Sequence, residues 1–279
     1  MNRVKIVYST ECTAGRNLAG KLQSLQGFTN EKLYSHAGVE FKAWEHENGG
    51  AELVEVPWRL ATECEQLALY PRVFASELVI FASRHRAESG APCLTTHAPG
   101  NFGPDSAMGG RPFELGIANG RANACLLRWF AANPLEGYGV SREATHHGPT
   151  CLPWPCAFAE LGSTQQQWED EKAAAHLAQA IEFAAFNYKQ EQGEVFAGFG
   201  GTHYCPKFGS LEMTGKHCFS HIASKYSLDA LTEQTAIQTL EKSADKTAGA
   251  LVDWKGCSAA QREKLSLLLA KLGVEVKRV

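Results

Sequence analysis

The chain has 279 residues, 44% of them hydrophobic and 20% charged, so it carries enough apolar side chain for a sizeable core and is neither disordered nor collagen-like. Lysine and arginine number 27 against 30 aspartates and glutamates, a formal charge of -3 without the basic surplus of a dedicated nucleic-acid binder. The longest apolar stretch, ANACLLRWFAA, is broken by Arg128 and falls short of the roughly 20 residues that a membrane-spanning helix needs.

MNRVKIVYSTEC lacks the apolar run of about 7 to 15 residues of a secretory signal, and a cytoplasmic location is expected. Within it, RVKIVYS reads as a strand, followed by a helix in which Ala14, Leu18, Leu22 and Leu25 recur at helical spacing. AELVEV, SELVIFAS and PCLTTH read as strands. ELGIANGRANACLLRWFAA reads as a helix burying Leu115, Ala118, Ala122, Cys125, Leu126 and Trp129. VSREATHH and CAFAELGS follow as extended segments. Ser163 with Gln166 forms a capping box before a long helix with a buried stripe of Trp168, Ala174, Ala178, Ile181, Ala185 and Tyr188. Strands GEVFAGFGG and KHCFSHIA, helix LDALTEQTAIQTLEK and strand GALVDW come next. The last helix is capped by Ser258 with Gln261 and closed by Gly273 before strand VEVKRV. Alternating strands and helices predict an α/β fold with a mostly parallel or mixed sheet covered on both faces. No long Pro, Gly or Ser linker appears, so a single domain over residues 1–279 is expected.

The nine cysteines are odd in number and scattered, with no CxxC pair, so reduced thiols are expected. Cys151 and Cys156 in CLPWPC read as packing residues. Familiar catalytic motifs fail. No P-loop, HExxH or GxSxG occurs, and GFGGTHYCP departs from GxGxxG because His203 stands at the third glycine position.

The histidines carry the signal. His85, His97, His146, His147, His203, His217 and His221, seven of ten, lie in or just after predicted strands. In open α/β sheets the carboxyl ends of strands line one crevice, so a histidine-lined cleft follows. Imidazole clusters favour metal binding or proton transfer. Strand alternation would put Glu143, Thr145 and His147 on one face and His146 on the other, unless the strand ends before His146 and the loop aims both inward. Thr95 and His97 share a face, and the turn at Pro99, Gly100 and Asn101 offers backbone N–H groups to an anion. Arg84, His85 and Arg86 follow a strand and read equally as a phosphate-binding edge or a solvated turn. Arg111, Lys207, Lys216 and Lys225 lie near the other histidine segments. Of the aromatic neighbours Phe102, Tyr204, Phe208 and Tyr226, each can stack on a base, although core packing is the expected role.

SRHRAESG, LTTHAPGNFG, EATHHGPT, AELGSTQQQWEDE, GGTHYCPKF, SHIASKY and VDWKGCSAAQREKLSLLLAKLG span essentially the whole chain in order. In these stretches the sequence resembles the D-aminoacyl-tRNA deacylase family of the archaeal and plant type, departing from it at Thr202, where a third glycine is commoner. The resemblance implies a three-layer α/β/α fold like that of phosphorylases and peptidyl-tRNA hydrolases. It also implies zinc as cofactor, two ions per chain, and hydrolysis of the ester between a D-amino acid and the 3' end of tRNA, with plant members also clearing aldehyde-modified substrates. On that reading His97, His147 and His203 are the metal ligands, and His146 is a ligand or the proton donor to the leaving oxygen. Glu143 is the base or the partner of a ligating imidazole. Arg84, His85, Arg86 and Lys207 contact the tRNA end. Oligomeric state is open, with a monomer preferred. Competing readings are a peptidyl-tRNA hydrolase or phosphorylase activity on the same architecture and a non-catalytic RNA-end binder.

Overall fold

The computed structural model describes residues 3–36 and 38–279. In chain order it contains β1 (Val4–Ser9), α1 (Thr13–Leu25), β2 (Phe28–His36), β3 (Val39–His46), β4 (Ala51–Val56), a 3-10 turn at Cys64–Leu69, α2 (Pro71–Phe74), β5 (Leu78–Arg84) and β6 (Cys93–His97). Next are α3 (Gly120–Ala132), β7 (Gly139–Arg142), β8 (Cys156–Gly162), α4 (Gln165–Trp168), α5 (Glu171–Asn187), β9 (Glu194–Phe199) and α6 (Pro206–Met213). The chain closes with β10 (His217–Ala223), α7 (Glu233–Glu241), β11 (Ala250–Val252), α8 (Ala259–Lys271) and β12 (Val276–Arg278).

The fold is α/β, as expected, but the strands form two sheets. The larger is mixed, in the order β2-β3-β4-β1-β5-β8-β6-β7, and the smaller is parallel, in the order β10-β9-β11-β12. In the large sheet β4, β1, β5 and β8 run parallel, whereas β6 is antiparallel to β8. Side chains of β1 are buried along its whole length, the mark of a central strand covered on both faces. On one face Ile6, Ile80 and Ala159 pack under Leu18 and Leu22 of α1, Leu126 of α3 and Leu177 and Ile181 of α5. The other face presents Val7, Val79, Phe81 and Phe158 to Leu67, Phe74 and Leu152. A third layer covers the small sheet: α7 and α8 bury Ala236, Leu265 and Leu269 against Phe199 and Val252. At Gly120 a side-chain carbon would stand 2.9 Å from the Phe219 carbonyl oxygen, so glycine permits α3 to lie directly on β10.

Several boundaries differ from expectation. The long helix predicted from residue 114 begins at Gly120, where the Asn119 side chain accepts the Ala122 N–H; Leu115 is buried in the extended segment before it. The capping box is Thr164 with Gln167, and a second cap at Asp170 restarts the chain as α5. Ser163 instead donates to the Ala91 carbonyl. The strand VSREATHH stops at Arg142. The hairpin β2–β3 was not expected, because Thr29, Asn30 and Glu31 are exposed on an edge strand, leaving little apolar alternation. The helix α6 was not expected either, being eight residues behind Pro206. The box at Ser258 with Gln261 is present. Among the described residues no helix is long and apolar enough to cross a membrane.

Candidate metal centre and active site

Strand register builds the floor of the site. Thr95 pairs with Glu160 and His97 with Phe158 across β6 and β8, while Ser83 of β5 also pairs with Glu160. Directly paired residues share a face, so Ser83, Thr95, His97, Phe158 and Glu160 form one surface. His85 follows β5, its N–H bonded to the Leu161 carbonyl at 2.9 Å. The carboxyl ends of β5 and β6 point in opposite directions because β6 is antiparallel to β8. The histidines therefore meet over the face of the sheet, rather than in a crevice past shared strand ends.

Two loops cover this floor. Because β7 ends at Arg142, the following loop turns both His146 and His147 inward, and His147 reaches its place with a left-handed φ of +44°, a conformation uncommon outside glycine. Ring centroids of His97 lie 4.1 Å from His146 and 4.8 Å from His147, with His203 4.6 Å from His146. His97 also stacks on Phe158 at 4.8 Å. His203 comes from the loop after β9 in the small sheet, and its carbonyl takes the Ala144 N–H at 2.8 Å. The centre thus depends on both sheets.

Charge in the site is ordered by hydrogen bonds. Glu143 is fully buried; its Oε1 accepts from His203 Nε2 at 2.9 Å and faces His85 Nδ1 at 3.4 Å. Burial would raise its pKa, but His203, His85 and His97 hold it below the usual range. Glu160 follows the same logic. Burial opposes ionisation, and the imidazoles of His85 and His97, 3.7 and 3.6 Å from its Oε2, overcome it, leaving the carboxyl well below its ordinary value. Conversely, burial disfavours the charged form of His85, yet Cys93, Glu160 and Glu143 outweigh it and push the imidazole up to about 12. A buried imidazolium between two carboxylates results. His146 and His147 are driven the other way, by burial first and neighbouring imidazoles second, His147 to about 4.

The donor set fits a metal. His97 Nδ1 faces the Ala98 carbonyl at 3.2 Å, His146 Nδ1 that of Ala144 at 2.8 Å, and His147 Nδ1 that of Gly148 at 2.7 Å. Donation from each Nδ1 leaves each Nε2 as an inward lone pair, the arrangement that backbone carbonyls impose on metal-ligating histidines. His97 Nε2 and Glu143 Oε2 are buried without a hydrogen-bond partner, a costly state for polar atoms. Potential ligand atoms gather within 4.8 Å of one another in three groups: His97, His146 and His147; Glu143, His146 and His203; His85, Glu143 and Glu160. In the last, His85 supplies its own positive charge.

Not every sequence candidate belongs here. His221 is fully buried and structural: Nε2 faces the carbonyls of Gly116 and Lys242, and Nδ1 faces the Thr145 hydroxyl. His217 packs on Phe196 at the start of β10. The turn at Pro99, Gly100 and Asn101 presents no free donors, since Gly100 N–H bonds the His147 carbonyl and Asn101 N–H that of Glu114; it secures the loop instead of holding an anion. Phe102 and Phe208 are core, but Tyr204 and Tyr226 are exposed. The Tyr204 hydroxyl lies 3.2 Å from His85 Nε2. Arg84, stacked on Trp168 at 5.1 Å, and Arg86 and Lys207 are exposed. Glu160 and Tyr204 were not among the expected catalytic residues. A signal for Glu160 was present: a lone carboxylate in the otherwise apolar CAFAELG. Two surface clefts of about 670 and 930 Å3 meet at Arg111, Glu114 and Lys242. No histidine lines them and both cations are paired with Glu114, so the chemistry favours the histidine centre.

Comparison with known proteins shows the family. The family model for D-aminoacyl-tRNA deacylase matches residues 73–277. The chain belongs to the D-aminoacyl-tRNA deacylase family. The D-aminoacyl-tRNA deacylase of Aeropyrum pernix is 36% identical over 99% of this chain and all of its own length. That of Methanosarcina mazei is 32% identical over 99% of this chain and 92% of its own. A crystal structure of a conserved protein of unknown function superposes with a TM-score of 0.85 at 27% identity, covering 99% of this chain and 95% of that one. The residues matched by the family model include every histidine of the centre.

Proposed function

We propose that this deacylase hydrolyses the ester linking a D-amino acid to the 3' end of tRNA, with the histidine and carboxylate cluster as its active site. The observation that carries the assignment of the site is the convergence of three carbonyl-anchored imidazoles with an unpartnered Glu143 oxygen, in a chain of this family.

His97, His146 and His147 would form one ligand set; His146, its Nδ1 tied to Ala144, has a single lone pair and serves that set, leaving Glu143 and His203 to line a second position. Imidazole and carboxylate donors suit zinc, and zinc bound there supplies a Lewis acid and lowers the pKa of water toward about 7. The anchored Nδ1 of His146 makes it a ligand in preference to a proton donor. Glu143 directs Oε2 into the site as the acceptor of a proton from the attacking water. His85 holds Glu143 and Glu160 apart as an internal counter-ion, and Phe158 keeps water from the back of His97. Arg84, Arg86 and Lys207, all exposed, receive the terminal phosphates. The whole chain acts as one unit, since His203 and the other ligands come from different sheets. A monomer working in the cytoplasm, where its substrate is, meets these needs, and aldehyde-modified substrates present the same ester.

The test is to purify the protein without chelator, measure metal by elemental analysis and by anomalous scattering at the zinc edge, and follow amino-acid release from D-tyrosyl-tRNA and L-tyrosyl-tRNA. Bound zinc and selective, chelator-sensitive release of D-tyrosine are expected. Metal-free protein with full activity would remove zinc from the reading. Tight tRNA binding without hydrolysis would select an RNA-end binder, and cleavage confined to N-blocked aminoacyl-tRNA a peptidyl-tRNA hydrolase.

A further inference from the structure

The glycine loop after β9 and the exposed Lys225–Tyr226 pair after β10 lie outside the histidine centre. The two strands run side by side and parallel, with Phe199 opposite Ala223, yet the chain leaves them toward opposite faces. After β9 it enters α6, whose Phe208 packs with Phe219 and Ile222; after β10 it enters α7, whose Ala236 packs with Phe199 and Ala223. Parallel sheets open a ligand crevice beyond the carboxyl ends of strands where connections diverge in this way.

A cavity of about 530 Å3 occupies that position, lined by Lys225, Tyr226, Asp229, Lys255, Gly256 and Ser258. Gly200 keeps the loop low: at its φ of +100° a side-chain carbon would stand 2.5 Å from Cys257 Sγ. The Tyr226 ring is 68% exposed, with the Lys225 ammonium 5.2 Å from its centroid. No carboxylate lies within ion-pair distance of Lys225 or Lys255 among the described residues. The nearby acids are engaged, Asp229 by the Gln261 amide at 3.2 Å and Asp253 by the Gly256 N–H at 3.1 Å.

The crevice is joined to the active site. Lys225 N–H donates to the Gly201 carbonyl at 2.8 Å, and His203 follows two residues later, within about 7 Å of chain. Thr202 and Tyr204 are exposed beside it. We propose that this crevice binds single-stranded RNA immediately before the aminoacylated nucleotide of the substrate, with a base stacked on Tyr226 and the backbone phosphate held by Lys225 and Lys255. The proposal rests on the aminoacyl-tRNA reading above. Stacking platforms flanked by cations hold single strands in this manner. A strand, unlike a free mononucleotide, would use the continuous path past Thr202 to the histidines.

The experiment compares D-tyrosyl-tRNA with the D-tyrosyl ester of adenosine, for wild type, Tyr226→Ala, Tyr226→Phe and the double change Lys225→Glu with Lys255→Glu. Tyr226→Ala and the double change should raise KM for the tRNA about tenfold or more, leaving kcat and adenosine-ester hydrolysis as in wild type. Tyr226→Phe should keep the wild-type KM. The slope of log KM against log salt should flatten by about 0.7 for each phosphate contact removed. Equal losses on both substrates, an unchanged KM for the tRNA, or competition by adenosine monophosphate as strong as by uncharged tRNA would overturn the crevice. Anisotropy of labelled uncharged tRNA, weakened by the same variants, reads the crevice without turnover. Failure of the wild type to hydrolyse either ester would instead overturn the functional reading.

Discussion

His147 shows what a single residue contributes. Its backbone sits at a φ of +44°, and its Nδ1 is tied to the Gly148 carbonyl, so ring position is set by local geometry and not by a partner that a substitution would leave behind. His147→Ala should therefore lower D-tyrosine release from D-tyrosyl-tRNA by at least about 10²-fold with an unchanged far-UV circular dichroism spectrum; near-normal turnover would reject the centre. Glu160 carries more of the fold, because removing its charge leaves the His85 imidazolium with one carboxylate fewer. Glu160→Gln should cost about 3 kcal/mol in urea unfolding, as breaking buried ion pairs does. His221 makes a pH prediction. Burial lowers its pKa to about 4, with Arg142 and Lys242 adding to the shift and the carbonyls of Lys242 and Gly116 opposing it, against about 6.5 unfolded. Between these values the unfolded chain binds the extra proton, so stability is full above about pH 6.5 and falls as pH drops toward 4, by about 1.4 kcal/mol per unit. His221→Gln loses hydrogen bonds at pH 7 but is free of this penalty. Its stability deficit should shrink by about 2 kcal/mol between pH 7 and pH 5, and a constant deficit would sink the assignment.

Between elements, Arg142 is the joint. Fully buried at the end of β7, its guanidinium donates to the carbonyls of Thr96 and Glu143 and to those of Phe219 and Ser220 in β10, and pairs with Glu212 of α6 at 3.2 Å. Glu212 Oε1 takes the Phe219 N–H at 2.9 Å. One side chain thus fixes the residue before His97, the residue at the heart of the site and the neighbouring sheet. Arg142→Met should destabilise by about 3 to 5 kcal/mol, and a double variant with Glu212→Leu should recover much of that, since it removes both charges from the interior. Equal stability of single and double variants in urea would show that the backbone carbonyls, and not the ion pair, dominate.

Across the whole molecule, the candidate metal centre and the junction of the sheets are the same place. Ligands from the loop after β7 meet His203 from the loop after β9, and the loops are stitched by the Ala144 N–H to His203 carbonyl bond. A ligand that binds only the folded state stabilises it by mass action, so stripping metal with a chelator should lower Tm, and added zinc should restore it in a concentration-dependent way. Faster amide hydrogen exchange confined to residues 143–148 and 200–205 should accompany the loss. Uniform exchange with an unchanged Tm would separate the centre from the junction.

Local chemistry was legible from the chain alone: helices with an apolar stripe such as α5, the cap at Ser258, buried strands such as β1, and the histidines beside Gly, Pro and Thr. These follow from interactions within a few residues, where spacing and residue type decide the outcome. The edge strand β2 and the short α6 were not legible, because pairing with β3 and packing under Arg142 stabilise them more than their own composition does. The site was half legible. His97, His146, His147, His203 and Glu143 converge, whereas His217 and His221 turned out to support the small sheet. Only tertiary structure could sort them, because the direction in which β6 pairs with β8 decides which side chains lie across from which. That pairing is a long-range choice made by the packed sheet, and it placed Glu160 under the histidines from a position where the sequence showed only one acid among apolar neighbours.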